Sequence, residues 1–386
     1  MKYSIIVPVY NRPDEVDELL QSLTRQTFRK GVEVIIVEDG SSLTCEDVVR
    51  RYAGKLQLRY YTKENSGPGQ TRNYGAEHSQ GDWLIFLDSD CVLPPGYLQA
   101  VDEELSTPSD ALAPRRVVKA RSDSQLSTKI DAWGGPDRAH ESFTPVQKAI
   151  NYSMTSFLTT GGIRGGRRQM DRKFYPRSFN MGIRRSLYRA LGGFSSMRFG
   201  EDIDLSLRIY ESGAGCRLIP EAWVWHKRRT DFRKFFKQVH NSGIARINLM
   251  KRHPGSLRPV HLLPAVFTVG TFLCLLSALL FLLLALLGIV AFWRMPKPGC
   301  ANGPMFCIIA GIGGTLSCLS PLLLFSLIVF ADSSLRNRSI RIGALSILAS
   351  FIQLVGYGTG CLRAWGLRCA CGRNEELQAF RDNFYK

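Results

Sequence analysis

The chain has 386 residues, enough for more than one domain, and 45% of them are hydrophobic. Its 50 basic residues outnumber 33 acidic ones, and the formal net charge of +17 indicates an anionic partner. No aromatic-rich nucleic-acid-binding module accompanies this charge, so we expect no nucleic-acid partner. The basic residues cluster at Arg164–Arg189 and Lys227–Arg258, the second cluster just before a long apolar region. We therefore expect them to face anionic membrane lipids.

The N-terminal part of the chain alternates between strand and helix patterns. Strands are predicted at Tyr3–Tyr10, Val32–Val37, Leu56–Tyr61 and Gly81–Leu87, with helices at Asp14–Thr24, Glu46–Tyr52 and Gln70–Ser79. This alternation predicts an α/β fold with a parallel sheet flanked by helices. Polar residues follow the strands at Asn11-Arg12, Glu38-Asp39, Asn65 and Asp88–Asp90. Ligands bind at the carboxyl ends of such strands, so we expect these groups to share one site.

The triplet Asp88-Ser89-Asp90 closes the last of these strands. Two carboxylates one residue apart, where a strand meets a loop, can hold a hard divalent cation. Such a cation keeps several waters and takes further oxygen ligands from a substrate diphosphate. Taken alone, the triplet also fits a solvated turn, and its position among other polar strand ends favours the cation site.

The middle of the chain, Asp110–Arg177, has no clear periodicity. Within it, Gly161–Arg168 is rich in glycine and arginine, which fits either a mobile lid over an anionic substrate or an ordinary exposed loop. Further on, Glu201 and Asp202 begin a predicted helix. A carboxylate there can accept a proton from an attacking hydroxyl, and the helix N-terminus keeps it ionised. The alternative role for Asp202 is helix capping.

Beyond Pro259 the sequence becomes strongly apolar. Candidate membrane spans are Pro264–Trp293, Pro304–Ala331 and Ile342–Leu362. The third is weaker because it contains Gln353 and four glycines, and a re-entrant or interfacial helix is its alternative. The preceding basic and amphipathic segment Phe232–Met250 fits a helix on the membrane face, with a plain surface helix as the alternative.

The distribution of charge predicts the orientation in the membrane. The chain begins directly with a strand and without a signal-peptide pattern, so we expect the N-terminal part to stay in the cytosol. Arg336, Arg338 and Arg341 place the loop after the second span there too. Three spans would then put the tail outside, although Arg363 and Arg368 follow the third segment. Either the third segment does not cross, or the charge rule is overridden.

Motifs along the N-terminal part, from Tyr3 to about Arg229, resemble in order those of a family 2 glycosyltransferase with the GT-A fold. The matching segments are Ile6–Asn11, Val37–Ser42, Asn65–Asn73, Asp88–Asp90, Ser178–Arg185, Gly192–Phe194 and Gly200–Arg208. The resemblance implies a catalytic domain over 1–230. The shift in composition adds an interfacial segment over 231–259, two or three transmembrane helices over 260–365, and a tail over 366–386.

The resemblance also implies a nucleotide diphosphate sugar as donor and Mg²⁺ or Mn²⁺ as cofactor. The implied nucleotide-sugar site comprises Pro8, Tyr10, Asp39, Gly67, Arg72, Asn73, Asp88, Ser89 and Asn180. In it, Pro8 and Tyr10 line the base pocket and Asp39 accepts a hydrogen bond from the base. Asp88 and Asp90 hold the metal, and His226 matches a further metal ligand of some relatives. Asp202, with Glu201 beside it, is implied as the general base.

These implications predict an inverting enzyme of the cytoplasmic (inner) membrane, multi-pass, with its catalytic domain in the cytosol. It would transfer one sugar to a hydroxyl of a lipid-linked or cell-surface glycan. Polymerising relatives carry a Gln-x-x-Arg-Trp element, and the corresponding stretch here, Phe235–Ile244, lacks the Arg-Trp, which disfavours a processive synthase. The alternatives are a polyprenyl-phosphate sugar synthase and a membrane protein that binds a nucleotide sugar without catalysis.

Overall fold

A computed structural model describes residues 1–107, 129–140, 142–161, 174–294, 302–373 and 375–377. Apart from Gly161, the glycine- and arginine-rich segment Gly161–Arg168 lies outside the described residues, so the choice between lid and loop stays open.

The N-terminal part forms the expected alternation of strands and helices. The elements are β1 (Tyr3–Val9), α1 (Pro13–Thr24), β2 (Val32–Asp39), α2 (Glu46–Tyr52), β3 (Leu58–Lys63), α3 (Pro68–Glu77) and β4 (Trp83–Leu87). β1 pairs in parallel with β2 and β4, and β2 pairs in parallel with β3. The predicted parallel sheet is therefore confirmed. β3 lies two residues later than predicted, and β2 extends to Asp39, so Glu38 and Asp39 belong to the strand.

The following segment adds short strands and further helices. They are β5 (Cys91–Val92), α4 (Tyr97–Ser106), β6 (Ala132–Gly134), β7 (Asp137–Arg138), α5 (Pro145–Thr155), α6 (Phe157–Thr160), β8 (Asn180–Arg184), α7 (Arg185–Ala190), α8 (Glu201–Glu211), β9 (Cys216–Leu218) and β10 (Val224–His226). The main sheet has seven strands in the order β3-β2-β1-β4-β8-β6-β9, and β8 runs antiparallel to both neighbours. A small sheet has the order β5-β10-β7. The result is a mixed, mainly parallel sheet of the GT-A type.

Apolar residues fill both faces of the main sheet. In β1, Ile5 and Val7 point to one side and pack with α1, α2 and α4, whereas Ile6 points to the other and packs with α3, α7 and α8. A strand covered by helices on both faces is a continuous apolar run in sequence, and for this reason the sequence of β1 predicts a buried strand. Close packing also explains one glycine, since a Cβ on Gly182 would lie 2.2 Å from the Trp133 indole.

Long helices form the C-terminal part. They are α9 (Phe232–Arg252), α10 (Pro259–Trp293), α11 (Asn302–Asn337) and α12 (Ile340–Trp365), and a π-helical turn over Gly366–Ala370 follows α12. By length and composition, α10, α11 and the helix that begins at Ile340 could each cross a membrane. α10 and α11 form an antiparallel hairpin in which Gly311 lies against Phe281 and Ala285. The domain boundaries predicted at 230 and 259 fall next to the first residues of α9 and α10.

A buried ionic cluster ties α8 to the segment that follows α9. Asp204 of α8 is only 1% exposed, accepts a 2.7 Å hydrogen bond from Arg208, and lies 2.9 Å from Nε2 of His253. The other ring nitrogen of His253 lies 2.9 Å from Glu211. Burial alone would raise the pKa of Asp204, but the hydrogen bonds from His253 and Arg208 outweigh it and lower this pKa. The ionised carboxylate therefore stabilises the folded state.

We expect Asp204→Asn to lower the free energy of unfolding by about 3–5 kcal/mol, because it removes a buried carboxylate from its contacts with the partly buried Arg208 and with His253. The folded-state pKa of Asp204 is lowered, so its contribution is complete above about pH 4 and is lost as the pH falls further. Thermal unfolding of wild type and variant between pH 3 and 7 measures this. Asp47→Asn, at a side chain that is 98% exposed, is the control, and equal effects of the two variants would contradict the role given to Asp204.

Candidate active site

The polar groups after β1, β2, β3 and β4 meet at the carboxyl edge of the sheet. Asp39, at the end of β2, is 2% exposed and accepts hydrogen bonds from the backbone N–H of Ser66 and Gly67 at 2.8 and 2.9 Å. Nζ of Lys63 donates to the same carboxylate at 2.7 Å. These bonds hold the loop in which Gly67, with φ of 91°, turns the chain into α3. The predicted contact of Asp39 with a nucleotide base stays a prediction.

Arg72 joins two acidic groups that are distant in sequence. It projects from α3, is 3% exposed, donates to Asp88 after β4, and lies 3.3 Å from Glu201 at the start of α8. Burial alone would lower the pKa of Arg72, but Asp88 and Glu201 outweigh it and raise the pKa. A permanent positive charge therefore lies between the predicted donor residues and the predicted catalytic pair.

The two residues of the predicted catalytic pair, Glu201 and Asp202, have different environments. Glu201 is buried, and burial together with the charge of Asp202 raises its pKa to about 8, although Arg72 opposes the shift. Asp202 is partly exposed; its Oδ2 lies 3.3 Å from Arg177, and its Oδ1 accepts the N–H of Ile203. The N-cap of α8 is Gly200, so Asp202 lies within the first turn and does not cap the helix.

His226 reaches the aspartate pair through the small sheet. β10 pairs antiparallel with β5, and this register places His226 opposite Cys91, the residue after Asp90. Nε2 of His226 lies 3.2 Å from Asp90 and 3.8 Å from Asp88. Burial opposes both charges, yet their mutual attraction lowers the pKa of Asp90 and raises that of His226.

The donor set around Asp90 fits a divalent cation. Ligand atoms of Asp90, Cys91 and His226 lie within 4.8 Å of one another, and Oδ1 of Asp90 is buried without a hydrogen bond of good geometry. Burial raises the pKa of the Cys91 thiol well above its ordinary value, so it stays protonated and is a poor ligand. Asp88, Asp90 and His226 remain, and carboxylate oxygens are the ligands that Mg²⁺ and Mn²⁺ prefer.

Residues that the sequence did not single out support His226. Phe179 stacks on the imidazole ring of His226 at a centroid distance of 4.7 Å. Nδ1 of His226 lies 3.9 Å from Asp137. Asp137 is buried and pairs with Arg228, which is also buried. Asp137 lies on a two-residue strand in the region without periodicity, so no local pattern marks it. Arg228 and Arg177 were visible only as members of basic clusters.

Two residues predicted to contact the donor are hydrogen-bonded within the protein. The Asn73 amide donates to the Phe194 carbonyl at 2.9 Å and accepts the Phe194 N–H at 2.8 Å. Asn180 is completely buried, accepts from the Tyr97 hydroxyl at 2.7 Å and donates to the Ala222 carbonyl at 2.8 Å. These contacts give both side chains a structural role, and their contact with a sugar stays a prediction.

The other predicted donor residues lie at the same edge. Pro8 and Tyr10 are half-buried at the end of β1, and Ser89 is half-buried between the two aspartates. A mixed sheet with acids and an arginine at its carboxyl edge is the architecture of a GT-A glycosyltransferase. Residues 4–191 match the sequence family described as Glycosyl transferase family 2. The match covers the N-terminal part of the chain, just under half of its length, and agrees with the resemblance of the motifs to that family.

Known proteins resemble the chain over different lengths. The pre-mycofactocin glycosyltransferase of Mycobacterium tuberculosis is 27% identical over 260 residues, which are 67% of this chain and 49% of that protein. The poly(ribitol-phosphate) beta-N-acetylglucosaminyltransferase TarS of Staphylococcus aureus is 40% identical over 93 residues, 23% of this chain and 16% of TarS. The matched part of the chain thus spans less than half of the length of these two relatives.

A solved structure supports the fold. The mannosyltransferase PcManGT from Pyrobaculum calidifontis, in complex with GDP-Man and Mn²⁺, superposes with a TM-score of 0.52 at 14% identity. The similarity covers 94% of this chain and 86% of PcManGT. At this identity the likeness concerns the fold alone.

We expect Asp90→Asn to weaken Mn²⁺ binding by more than about 100-fold, because even residues that only orient a metal ligand contribute roughly 10–100-fold. Titration of the purified protein with Mn²⁺, followed by calorimetry or by the spin resonance of free Mn²⁺, measures the affinity. Asp82→Asn is the matched control, since Asp82 is exposed and precedes the same strand. Unchanged affinity in Asp90→Asn would remove Asp90 from the metal site.

We expect the stability of the wild type to fall relative to Glu201→Gln as the pH rises from about 4.5 to about 8. The pKa of Glu201 is raised from 4.5 to about 8 on folding, so the folded state binds the proton of Glu201 more tightly than the unfolded state does. The stability that this tighter binding contributes is complete below about pH 4.5 and is lost as the pH rises to about 8. Thermal unfolding of both proteins between pH 5 and 9 measures the difference. The exposed Glu64→Gln provides the control, and a pH-independent difference for Glu201→Gln would show that its pKa is not raised.

Proposed function

We propose that the protein transfers one sugar, with inversion, from a nucleotide diphosphate sugar to a hydroxyl of a lipid-linked or cell-surface glycan acceptor. The observation that carries this proposal is the pair of contacts made by Arg72. It links Asp88, beside the metal-type donor set, to Glu201, beside Asp202. A donor site and a candidate base are thereby held side by side at one edge of the sheet.

On the donor side, Asp88, Asp90 and His226 are the residues that would hold Mg²⁺ or Mn²⁺. When bound, the cation neutralises charge on the diphosphate of the leaving nucleoside diphosphate. Pro8, Tyr10, Asp39, Gly67 and Ser89 form the proposed nucleotide-sugar site. The guanidinium of Arg72 adds a fixed positive charge beside Asp88.

On the acceptor side, Asp202 is the proposed general base. The acceptor oxygen forms a bond to the anomeric carbon while the bond from that carbon to the diphosphate breaks, and the acceptor proton passes to Asp202. Glu201 keeps its own proton at neutral pH because its pKa is about 8, which separates the roles of the two neighbouring acids. A single displacement of this kind inverts the configuration at the anomeric carbon.

The path from Asp202 to the apolar helices is short. Asp202 pairs with Arg177, and Tyr175, two residues before it, lies 3.4 Å from Arg258. Arg258 is the N-cap residue of α10. This proximity supports an acceptor that is delivered from the membrane.

The same contacts favour one alternative, a polyprenyl-phosphate sugar synthase. Guanidinium groups bind phosphate well, and Arg177 lies next to Asp202 while Arg258 lies at the start of α10. A phosphate acceptor needs no deprotonation, so Asp202 would then matter less as a base.

Release of nucleoside diphosphate from a panel of donors, with Mn²⁺ or Mg²⁺, tests turnover by the detergent-solubilised protein. We expect Asp202→Asn to slow transfer to a hydroxyl acceptor by about 10²–10⁴-fold, because it removes the base, while donor binding changes little. The anomeric configuration of the product, read by NMR, tests inversion.

Asp82→Asn again serves as the control variant. Full activity of Asp202→Asn with a hydroxyl acceptor would remove the base assignment. Activity of that variant with polyprenyl phosphate alone would favour the synthase. Donor binding without turnover on any acceptor would favour a non-catalytic nucleotide-sugar-binding protein.

A further inference from the structure

The C-terminal half of α12 runs side by side with α9. A Cβ on Gly356 would lie 2.5 Å from Val239, and one on Gly360 would lie 2.0 Å from the backbone carbonyl oxygen of His240. After α12, Arg368 donates to Asn248 of α9 at 2.7 Å. Residue numbers at the contacts increase together along both helices, so α12 and α9 run parallel. The glycines let the two backbones touch, so α12 is fixed to α9 over several turns.

The middle of α12 and the segment before it lie near α5. Ile352, at the middle of α12, packs against a buried cluster that includes Ile150 and Met154 of α5. Just before α12, Asp332 of α11 accepts a 2.7 Å hydrogen bond from the hydroxyl of Tyr152 on α5. The region where α11 turns into α12 therefore also lies against α5.

Both partner helices belong to the N-terminal domain side. α9 contains six basic residues and is not among the helices apolar enough to cross. Its last turn, at Leu249, lies against Gly200 at the start of α8, and His253 just beyond it lies against Asp204. α5 is tied to the segment before α9 because Gln147 donates to the carbonyl of Arg228 at 2.9 Å.

This arrangement conflicts with a third crossing. The 26 residues of α12 span about 39 Å, so a crossing helix would carry its ends to opposite sides of a hydrocarbon core about 30 Å thick. A crossing helix would leave the N-terminal domain side within a few turns. α12 instead contacts α5 or α9 from Ile352 to Gly360, and Asp332, just before it, also contacts α5.

α10 and α11 extend beyond α12. Contacts of α12 with α10 lie at Pro264 and Thr268, and its ring contact with α11 lies at Phe325. The parts beyond these points, 269–293 and 302–324, carry no charged residue and are roughly 35 Å long each. That length is sufficient for a two-helix hairpin to cross the bilayer.

We propose that the chain crosses the membrane twice, through α10 and α11, and that α12 lies on the bilayer surface that faces the N-terminal domain. The lipid leaflet on that side is the partner of its outer face. Exposed apolar side chains on α12 and the neighbouring α6 are Phe157, Leu158, Ile340, Leu348, Leu362 and Trp365. Tryptophan is enriched at such interfaces, and exposed Arg341 and Arg363 can reach lipid phosphates.

The proposal also removes the charge conflict found in the sequence. With two crossings, the arginines around the start of α12 (Arg336, Arg338 and Arg341) and those around its end (Arg363 and Arg368) lie on one side of the membrane. The tail then shares a compartment with the N-terminal domain, in agreement with the 3.3 Å hydrogen bond between Asn248 and the carbonyl of Leu377.

Labelling with a membrane-impermeant maleimide in intact and lysed spheroplasts tests this topology on the full chain. The native Cys371 is exposed and follows α12. Lys55→Cys marks the N-terminal domain, and Trp293→Cys, at a residue 83% exposed, marks the far end of α10. Peptide mass spectrometry identifies the labelled cysteine, and Cys371→Ser controls for its assignment.

We expect Cys371 to be accessible from the same side as Lys55→Cys and from the opposite side to Trp293→Cys. Labelling of Cys371 from the same side of the membrane as Trp293→Cys would overturn the proposal, because that result requires a third crossing. This comparison holds whichever way the protein inserts, and it does not depend on the enzymatic reaction.

A charge substitution gives a second test. At a surface helix, Leu348→Lys can extend its ammonium to the headgroups, so we expect the amount of protein in the membrane fraction to stay within about twofold of wild type. Leu283→Lys, in the middle of α10, places the charge in hydrocarbon and should reduce that amount severalfold. Equal losses for Leu348→Lys and Leu283→Lys would count against the surface position of α12.

Discussion

The arrangement of the candidate site depends on one buried cation, the guanidinium of Arg72. Asp88 ends a strand, Glu201 begins a helix more than one hundred residues later, and Arg72 on α3 contacts both. Without its charge, the carboxylate of Asp88 would act unopposed on the buried Glu201 and raise the pKa of Glu201 further. The same contacts fix the distance between the metal-type donor set and Asp202, so the order of α3 determines the geometry of the whole edge.

Much of the fold could be predicted from the sequence because strands covered on both faces are continuous apolar runs. β1, β2 and β4 are such strands, and their polar ends do meet at one edge. β5, β7 and β10 have only two or three residues each, too few for any periodicity to appear. Hydropathy marked α12 as a possible span, but it could not show that this helix packs along α9 and next to α5.

The site was predictable to a similar extent. Asp88, Asp90, Glu201 and Asp202 were identified by motif, whereas the place of His226 depends on the pairing of β5 with β10, which is a long-range contact. Asp137 and Arg177 act through such contacts as well and carry no local signal. Conversely, Asn73 and Asn180 were assigned to the donor by motif, and in the structure their amides hold distant backbone segments together.

The contact of His253 with Asp204 has a geometric consequence. The segment between α9 and α10 is attached to the same helix that carries Asp202, the proposed general base. With α10 entering the bilayer as proposed, this contact would keep Asp202 at a constant height above the lipid surface. In the proposed reaction, an acceptor would then be selected by how far its reactive oxygen stands from the headgroups, in addition to its chemical identity.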